Sequence, residues 1–333
     1  MTSVLVTGGA GFIGSHLARE LLAAGRRVVV LDDLSGGYES NVPSGAIFVK
    51  GSVSEAELVA RLFREHRFTD VFHLAAYAAE GLSHFIRAFN YGNNVVGSMN
   101  VINECVKADV RALVFTSSIA VYGSAQVPMR EDVTPLPEDP YGIAKYAVEL
   151  DLAAARRTFG LNAIVFRPHN VYGEYQNIGD PYRNVIGIFM NCAMRGEGMP
   201  VFGDGTQTRA FSYVGDVVPT IARAPEVPAA AGQVFNIGAD HPHSVNELAR
   251  TVADAMGVEL RIEHLPARKE VQHAFSDHAR LRSVFGSTPE TPLREGVGRM
   301  AAWAREVGPR PGSRFTGIEI DRGLPPSWAR HSR

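Results

Sequence analysis

Cysteine is nearly absent from this 333-residue sequence: Cys105 and Cys192 are the whole complement, far apart and in no CxxC or ligand spacing. That excludes a disulfide-stapled scaffold and a cysteine metal site, and it makes a reducing compartment the expectation. No apolar run approaches the roughly 20 residues a spanning helix needs. The opening MTSVLVTGG has no basic stretch ahead of an apolar core, so no secretory leader and a cytoplasmic location are expected. An excess of one charge is missing too. With 33 Lys and Arg against 35 Asp and Glu, the formal net charge of −2 gives no electrostatic reason to expect nucleic acid or a membrane as partner. Internal repeats, low-complexity tracts and metal-ligand clusters are also lacking.

What the sequence does have is rhythm. SVLVTGG (3–9), RRVVVLDDL (26–34), AIFVKGS (46–52), DVFHLAA (70–76), ALVFTSS (112–118) and NAIVFRP (162–168) are short β-branched runs. Helical patterns separate them at 13–25, 54–66, 90–107 and 140–159. Near-continuous apolar strands alternating with helices predict a doubly wound parallel α/β sheet covered on both faces. After Pro168 the pattern becomes mixed, with a helix at 185–196, a strand at 233–238 and a helix at 244–256. This predicts a nucleotide-binding unit over 1–168, with returns near 210–240, and a smaller α/β substrate unit over 169–333. The Pro-, Gly- and Arg-rich tail from Pro309 is expected to be extended.

The turn VLVTGGAGFIGSHL places Gly8, Gly11 and Gly14 between the first strand and the first helix. In that context glycine permits a tight turn, close approach of a pyrophosphate and tight helix–strand packing, with the phosphates at the positive helix end. Asp32 closes the second strand, where it can accept from an adenosine ribose and repel a 2′-phosphate. The next residues are Asp33, Leu34 and Ser35, with no arginine among them, so NAD is expected rather than NADP.

Further on, EDPYGIAK sets Tyr141 and Lys145 four residues apart on one helix face, behind Asp139 as N-cap and Pro140 as first helical residue. A free phenol has a pKa of about 10, and bringing it near 7 takes roughly 4 kcal/mol of stabilisation of the phenolate. A lysine cation, a helix N-terminus and a cationic nicotinamide are expected to supply this together. FTSSIAVYG puts Ser117 and Ser118 at a strand end facing the ligand crevice, and FRPHNVYG puts Asn170 at the rim.

Together these motifs resemble the extended short-chain dehydrogenase/reductase group, and within it the nucleotide-sugar epimerases and dehydratases. The resemblance runs from TGGAGFIGSHL through SSIAVYG, YGIAK and RPHNVYG to FGDGTQTRAFSYVGDV. It implies catalytic roles for Tyr141, Lys145 and Ser118. It implies a cofactor site of Gly8, Gly11, Phe12, Ile13, Gly14, Asp32, Asp33, Ser35, Gly36, Ser52, Val53, Leu74, Ala75, Ala76, Asn94, Ser117, Tyr141, Lys145, Pro168 and Asn170. For a UDP-sugar it implies Val201 and Phe202 at the base, with Arg209 and Arg268 on the diphosphate. Asn170 and Asn184 would line the same channel and Glu270 would reach the ribose. A homodimer built on the helices at 90–107 and 140–159 is implied as well; Met99, Ile102, Leu150 and Leu152 of those helices also suit a core.

Dehydratases and decarboxylases of the family carry carboxylates where this sequence has Ile119 and Ala120. Without them, a site that oxidises C4 of the sugar can only return the hydride, which points to a 4-epimerase. Arg183, beside Asn184, could pair with the carboxylate of a hexuronic acid, favouring UDP-glucuronate/UDP-galacturonate over UDP-glucose/UDP-galactose. A nucleotide-sugar reductase and a non-catalytic cofactor-binding regulator are the other readings. Two departures stand out: Ser52 replaces a common adenine-contacting Asp, and Tyr77, Ala78 and Ala79 stand where several UDP-glucose 4-epimerases carry a lysine. Glu80 and His84, close by, read as loop residues, and Ala274 as a small residue near the sugar.

Overall fold

The computed structural model describes residues 2–124, 127–267, 271–312 and 315–329. In chain order the elements are β1 (Ser3–Thr7), α1 (Phe12–Ala23), β2 (Arg27–Asp32), β3 (Ile47–Lys50), α2 (Ala56–His66) and β4 (Asp70–His73). The short helices α3 (Glu80–Ser83) and α4 (Arg87–Tyr91) precede α5 (Gly97–Lys107), β5 (Ala112–Thr116), α6 (Pro140–Phe159) and β6 (Ala163–Pro168). Then come β7 (Val171–Tyr172), α7 (Val185–Arg195), β8 (Met199–Phe202), β9 (Thr208–Ala210), β10 (Ser212–Tyr213), α8 (Val214–Arg223) and β11 (Val234–Ile237). Last are β12 (Pro242–Ser244), α9 (Val245–Met256), β13 (Ile262–Leu265), β14 (His273–Ala274), α10 (Ala279–Phe285), α11 (Leu293–Val307) and α12 (Pro326–Ala329).

Seven strands form one parallel sheet in the order β11-β6-β5-β4-β1-β2-β3. Its two faces carry separate apolar clusters, because side chains alternate along each strand. Val4, Val6, Val28 and Val30 pack with α1, α7 and α8 on one face. Leu5, Val29, Leu31, Val71 and Leu113 pack with α2, α5 and α6 on the other. The doubly wound expectation therefore holds, and the strand expected at 233–238 is the sheet's β11 edge, paired to β6. Small sheets from the later half, β12-β9-β14 and β13-β8, stand apart from it.

The helix expected at 90–107 is present, but it is not a uniform α-helix. Between α4 and α5, Gly92–Val96 winds as a π-turn. The two glycines at its ends are poor helix formers. Asn94 within it turns its amide onto the backbone of Tyr77 (2.8 and 3.2 Å) and onto Asn90 (2.8 Å). The extra residue aims that side chain at the loop after β4.

One buried ion pair fastens α6 to the sheet. Arg167 on β6 donates from Nε and Nη2 to the two Glu149 oxygens, at 3.0 and 2.5 Å, with both side chains about 5% exposed. Its other nitrogen donates to Tyr122 Oη at 2.6 Å, and Tyr122 donates to Asn236 on β11 at 2.9 Å. Burial opposes the Arg167 charge, but the Glu149 carboxylate more than compensates and raises its pKa. Removing one partner would strand a buried charge, at a cost of about 3–5 kcal/mol. Glu149→Ala is therefore expected to lose about that much stability in urea unfolding. The apolar double variant Glu149→Leu/Arg167→Met should lose clearly less, and equal losses would show that the pairing is incidental.

Candidate active site

A cavity of about 870 Å³ opens at the carboxyl ends of the parallel strands, where open α/β sheets bind ligands. At one end lies the glycine turn. Gly8 has a positive φ of 72°, and a Cβ there would come within 2.8 Å of the Ala75 nitrogen. A Cβ on Gly14 would stand 2.2 Å from the Gly8 carbonyl oxygen, so the helix can approach this closely only with glycine. At Gly11 a Cβ would meet little beyond that carbonyl, at 3.1 Å, which leaves the turn open to the cavity. A cradle of this kind fits a pyrophosphate.

Asp32 accepts from the Ala10 nitrogen at 3.0 Å and the Leu34 nitrogen at 2.8 Å, and thereby holds the turn itself. Burial raises its pKa, and these amides oppose the rise. Asp32 still lines the cavity, as do Phe12, Ile13, Asp33, Ser35, Gly36, Ser52, Val53, Leu74, Ala75 and Ala76. The Ser52 nitrogen bonds Glu55 at 2.7 Å. Asn94 does not line the cavity; its amide is committed to Tyr77 and Asn90, and Asn93 takes the place at the wall.

Helix α6 starts as its sequence predicts. The Asp139 side chain accepts from the Gly142 nitrogen at 2.9 Å, and Pro140 occupies the first turn, where its missing N–H costs nothing. Tyr141, Lys145 and Glu149 follow at four-residue spacing, all buried. Lys145 Nζ donates to the Thr116 carbonyl at 2.7 Å, lies 4.7 Å from the Phe115 ring centroid and 5.9 Å from that of Tyr141. Burial lowers its pKa to about 7, against the opposing pull of Glu149. Burial raises the Tyr141 phenol above its usual range, opposed chiefly by a hydrogen bond with Ser118. The helix start and Lys145 do not by themselves bring the phenol toward neutrality; the third contributor expected from sequence is the cationic nicotinamide.

The two serines divide. Ser118 caps the short 3-10 turn at Ile119–Tyr122, accepting from the Ala120 nitrogen at 3.1 Å, and meets Tyr141. Ser117 lines the cavity as expected, but it is buried and its hydroxyl donates to Glu149, which ties it to the α6 anchor. Ile119 and Ala120 face the cavity. Of the cavity-lining acids nearby, Asp139 is the helix cap, and Glu138 accepts from Ser124. Glu80, set aside as a loop residue, opens α3 at the cavity wall and, like Asp139, bears electrostatically on Tyr141; His84 lines the same wall.

Pro168, Asn170 (φ 41°), Asn184 (φ 64°), Val201, Phe202, Arg209 and Ala274 line the remainder. Arg209 is held by the carbonyls of Thr208, Val271 and Gln272 at 2.8, 2.6 and 3.1 Å. Arg268 and Glu270 lie outside the described residues. Arg183 has a partner of its own, contrary to expectation: Asp180 accepts from its Nε at 2.7 Å and its Nη2 at 2.5 Å. The guanidinium lies 4.9 Å from the Tyr77 ring centroid, and a Cβ on Gly36 would meet its Nη2 at 3.2 Å. Tyr182 and Trp328 also line the cavity, and neither was singled out in the sequence. An apolar residue such as Trp328 in an otherwise Pro/Arg-rich tail was the available signal.

Comparison with known proteins agrees with this geometry. A model of the NAD dependent epimerase/dehydratase family matches residues 4–238. A UDP-glucose 4-epimerase of Mycolicibacterium smegmatis is 37% identical over 90% of this chain and 98% of its own. The structure of a UDP-glucose 4-epimerase from Thermotoga maritima with UDP-glucose superposes at a TM-score of 0.85, with 34% identity over 92% of this chain and 99% of that one. One from Thermus thermophilus, in complex with NAD, gives 0.85 at 32% identity over 91% and 99%. With its glycine cradle, Asp32 and the Tyr141–Lys145 helix in place, this chain belongs to the NAD dependent epimerase/dehydratase family.

Proposed function

We propose that this protein inverts C4 of a UDP-hexose, with UDP-glucose and UDP-galactose as its substrate pair. What carries the choice of sugar is the Asp180–Arg183 pair: a buried carboxylate already neutralises the arginine that would have selected a uronate. The relatives named above are UDP-glucose 4-epimerases, and support the same reading. UDP-glucuronate is the second reading, because Arg183 also stacks on Tyr77 and faces the cavity.

In this reading Tyr141 takes the proton of the C4 hydroxyl, and Ser118 bonds both phenol and sugar oxygen. The glycine turn and Asp32 would hold NAD, which when bound would supply the hydride acceptor and donor for C4. Ile119 and Ala120 offer no acid or base for removing water or carbon dioxide, so the ketone has no other exit. The same tyrosine hands its proton back after the sugar has turned over. Without a cofactor, burial disfavours the phenolate. Its activation therefore falls to Lys145 together with the positive charge that arrives with the cofactor.

The outward face of α5 and α6 supports a homodimer. Ile102 and Leu152 are core residues, whereas Leu150 is 54% exposed and Ile143 39%. Val96, just before α5, is 56% exposed. Light scattering should give twice the chain mass, and Leu150→Glu should return it to one; a monomeric wild type would refute the dimer.

Proton NMR of the protein with UDP-glucose, and separately with UDP-glucuronate, tests the main reading without added cofactor. Conversion of UDP-glucose to its C4 epimer is expected, with Tyr141→Phe slowed by about 10²–10⁴. Inversion of UDP-glucuronate alone would replace the neutral sugar by the uronate. Lys145 makes a separate prediction. Its folded pKa of about 7 lies below the unfolded value of about 10.4, so the unfolded chain binds the extra proton between them. Stability should then rise with pH from about 7 to 10, by up to ~1.4 kcal/mol per unit. Urea unfolding across that range should show the rise in wild type and a flatter profile in Lys145→Met; identical slopes would refute the depressed lysine.

A further inference from the structure

The tail was expected to be simply extended, yet residues 315–329 are folded back onto the cavity. Glu319 accepts from the nitrogens of Ala88 and Phe89 at the start of α4, both at 2.8 Å. The nitrogens of Glu319 and Ile320 donate to the Phe85 carbonyl at 2.8 and 3.2 Å. Phe315 lies 5.2 Å from the Tyr77 ring and 4.9 Å from Phe89, centroid to centroid, in an apolar cluster distinct from the two sheet cores. Trp328 stands edge-on to Tyr182 at 5.3 Å and to Phe85 at 6.3 Å, and a Cβ on Gly81 would touch its ring at 3.1 Å.

These neighbours locate the strap. Glu80 and Arg183 are the groups of the 80–84 and 182–183 walls whose charges reach Tyr141. Trp328 packs on Gly81 and Tyr182, the residues next to those two in sequence, and itself lines the cavity with Pro325 and Gly323. The strap therefore closes the end of the cavity where the phenol works. A sugar ring that must detach from its first pose, turn over and reattach needs a wall there that keeps it in and water out.

We propose that residues 315–329 form a built-in wall of the hexose end of the site, and that Trp328 sets which sugars fit and retains the ketone between the two hydride transfers. This rests on the UDP-hexose reading given above. The strap acts through contact area, so its loss should be felt in sugar binding rather than in the glycine turn.

The test compares wild type, Trp328→Phe, Trp328→Ala and Glu319→Gln, each first checked for NAD binding. Trp328→Ala should raise the KM for UDP-glucose about tenfold and narrow the preference for UDP-glucose over UDP-N-acetylglucosamine by a similar factor. It should also strand reduced cofactor on the protein, visible as nicotinamide fluorescence, as ketone escapes. Trp328→Phe should stay near wild type. If Trp328→Ala fails to fold, Glu319→Gln, which loosens the strap from α4 without touching the cavity wall, must move the same quantities. Wild-type KM, preference and fluorescence in these variants overturn the wall. If wild type turns over neither sugar, it is the UDP-hexose reading that fails. Emission of Trp328 in a Trp303→Phe background then tests the wall alone, with quenching by a UDP-sugar but not by UDP expected, and no quenching overturning it.

Discussion

The site depends on the ion pair that locks α6 onto β6. Tyr141, Lys145 and Glu149 lie along one helix face, and Glu149 is the member tied to the sheet through Arg167. Because a helix is stiff over two turns, fixing Glu149 fixes the depth of the two residues before it. Ser117 joins the same carboxylate, and its chain neighbours Thr116 and Ser118 meet Lys145 and Tyr141. A single buried carboxylate thus sets helix and strand end against each other, and the phenol, amine and hydroxyl follow. A surface pair could not do this, since water would compete for both charges.

Burial has a second consequence. It raises the phenol and lowers the amine, so the site at rest holds its proton carriers close to neutral. A cationic cofactor in the same low-dielectric space would favour the phenolate and further disfavour the ammonium. The acidic groups at Glu80 and Asp139 add to the rise by opposing the phenolate.

Substrate choice is governed by what the walls leave unpaired. Arg183 looked like an anion receptor as long as its partner was unknown; with Asp180 bonded at two nitrogens it resembles a brace between Tyr77 and the Gly36 loop. At Ile119 and Ala120 the cavity offers apolar surface in place of a carboxylate. The folded-back tail adds aromatic surface to the same end.

Much of this was legible in the residues themselves. The β-branched alternation, the strand–glycine–helix turn and the Asp139–Pro140 helix start are local signals, enforced by sterics and hydrogen bonds within a few residues, and they located the sheet, the NAD turn and the Tyr141–Lys145 face. Partner choice across the chain was not legible. That Ser117 turns to Glu149, Asn94 to Tyr77 and Arg183 to Asp180 depends on which groups folding brings together once water is removed. Trp328, almost 190 residues from Tyr141, joins the site for the same reason: only the packed cluster around Tyr182 and Phe85 gives that ring somewhere to go. Sequence alone determined the sheet, the cofactor and the helix that carries Tyr141 and Lys145, because their causes are local. Tertiary structure decided which charges are already paired and which segments wall the cavity, because desolvation acts between segments the chain keeps apart.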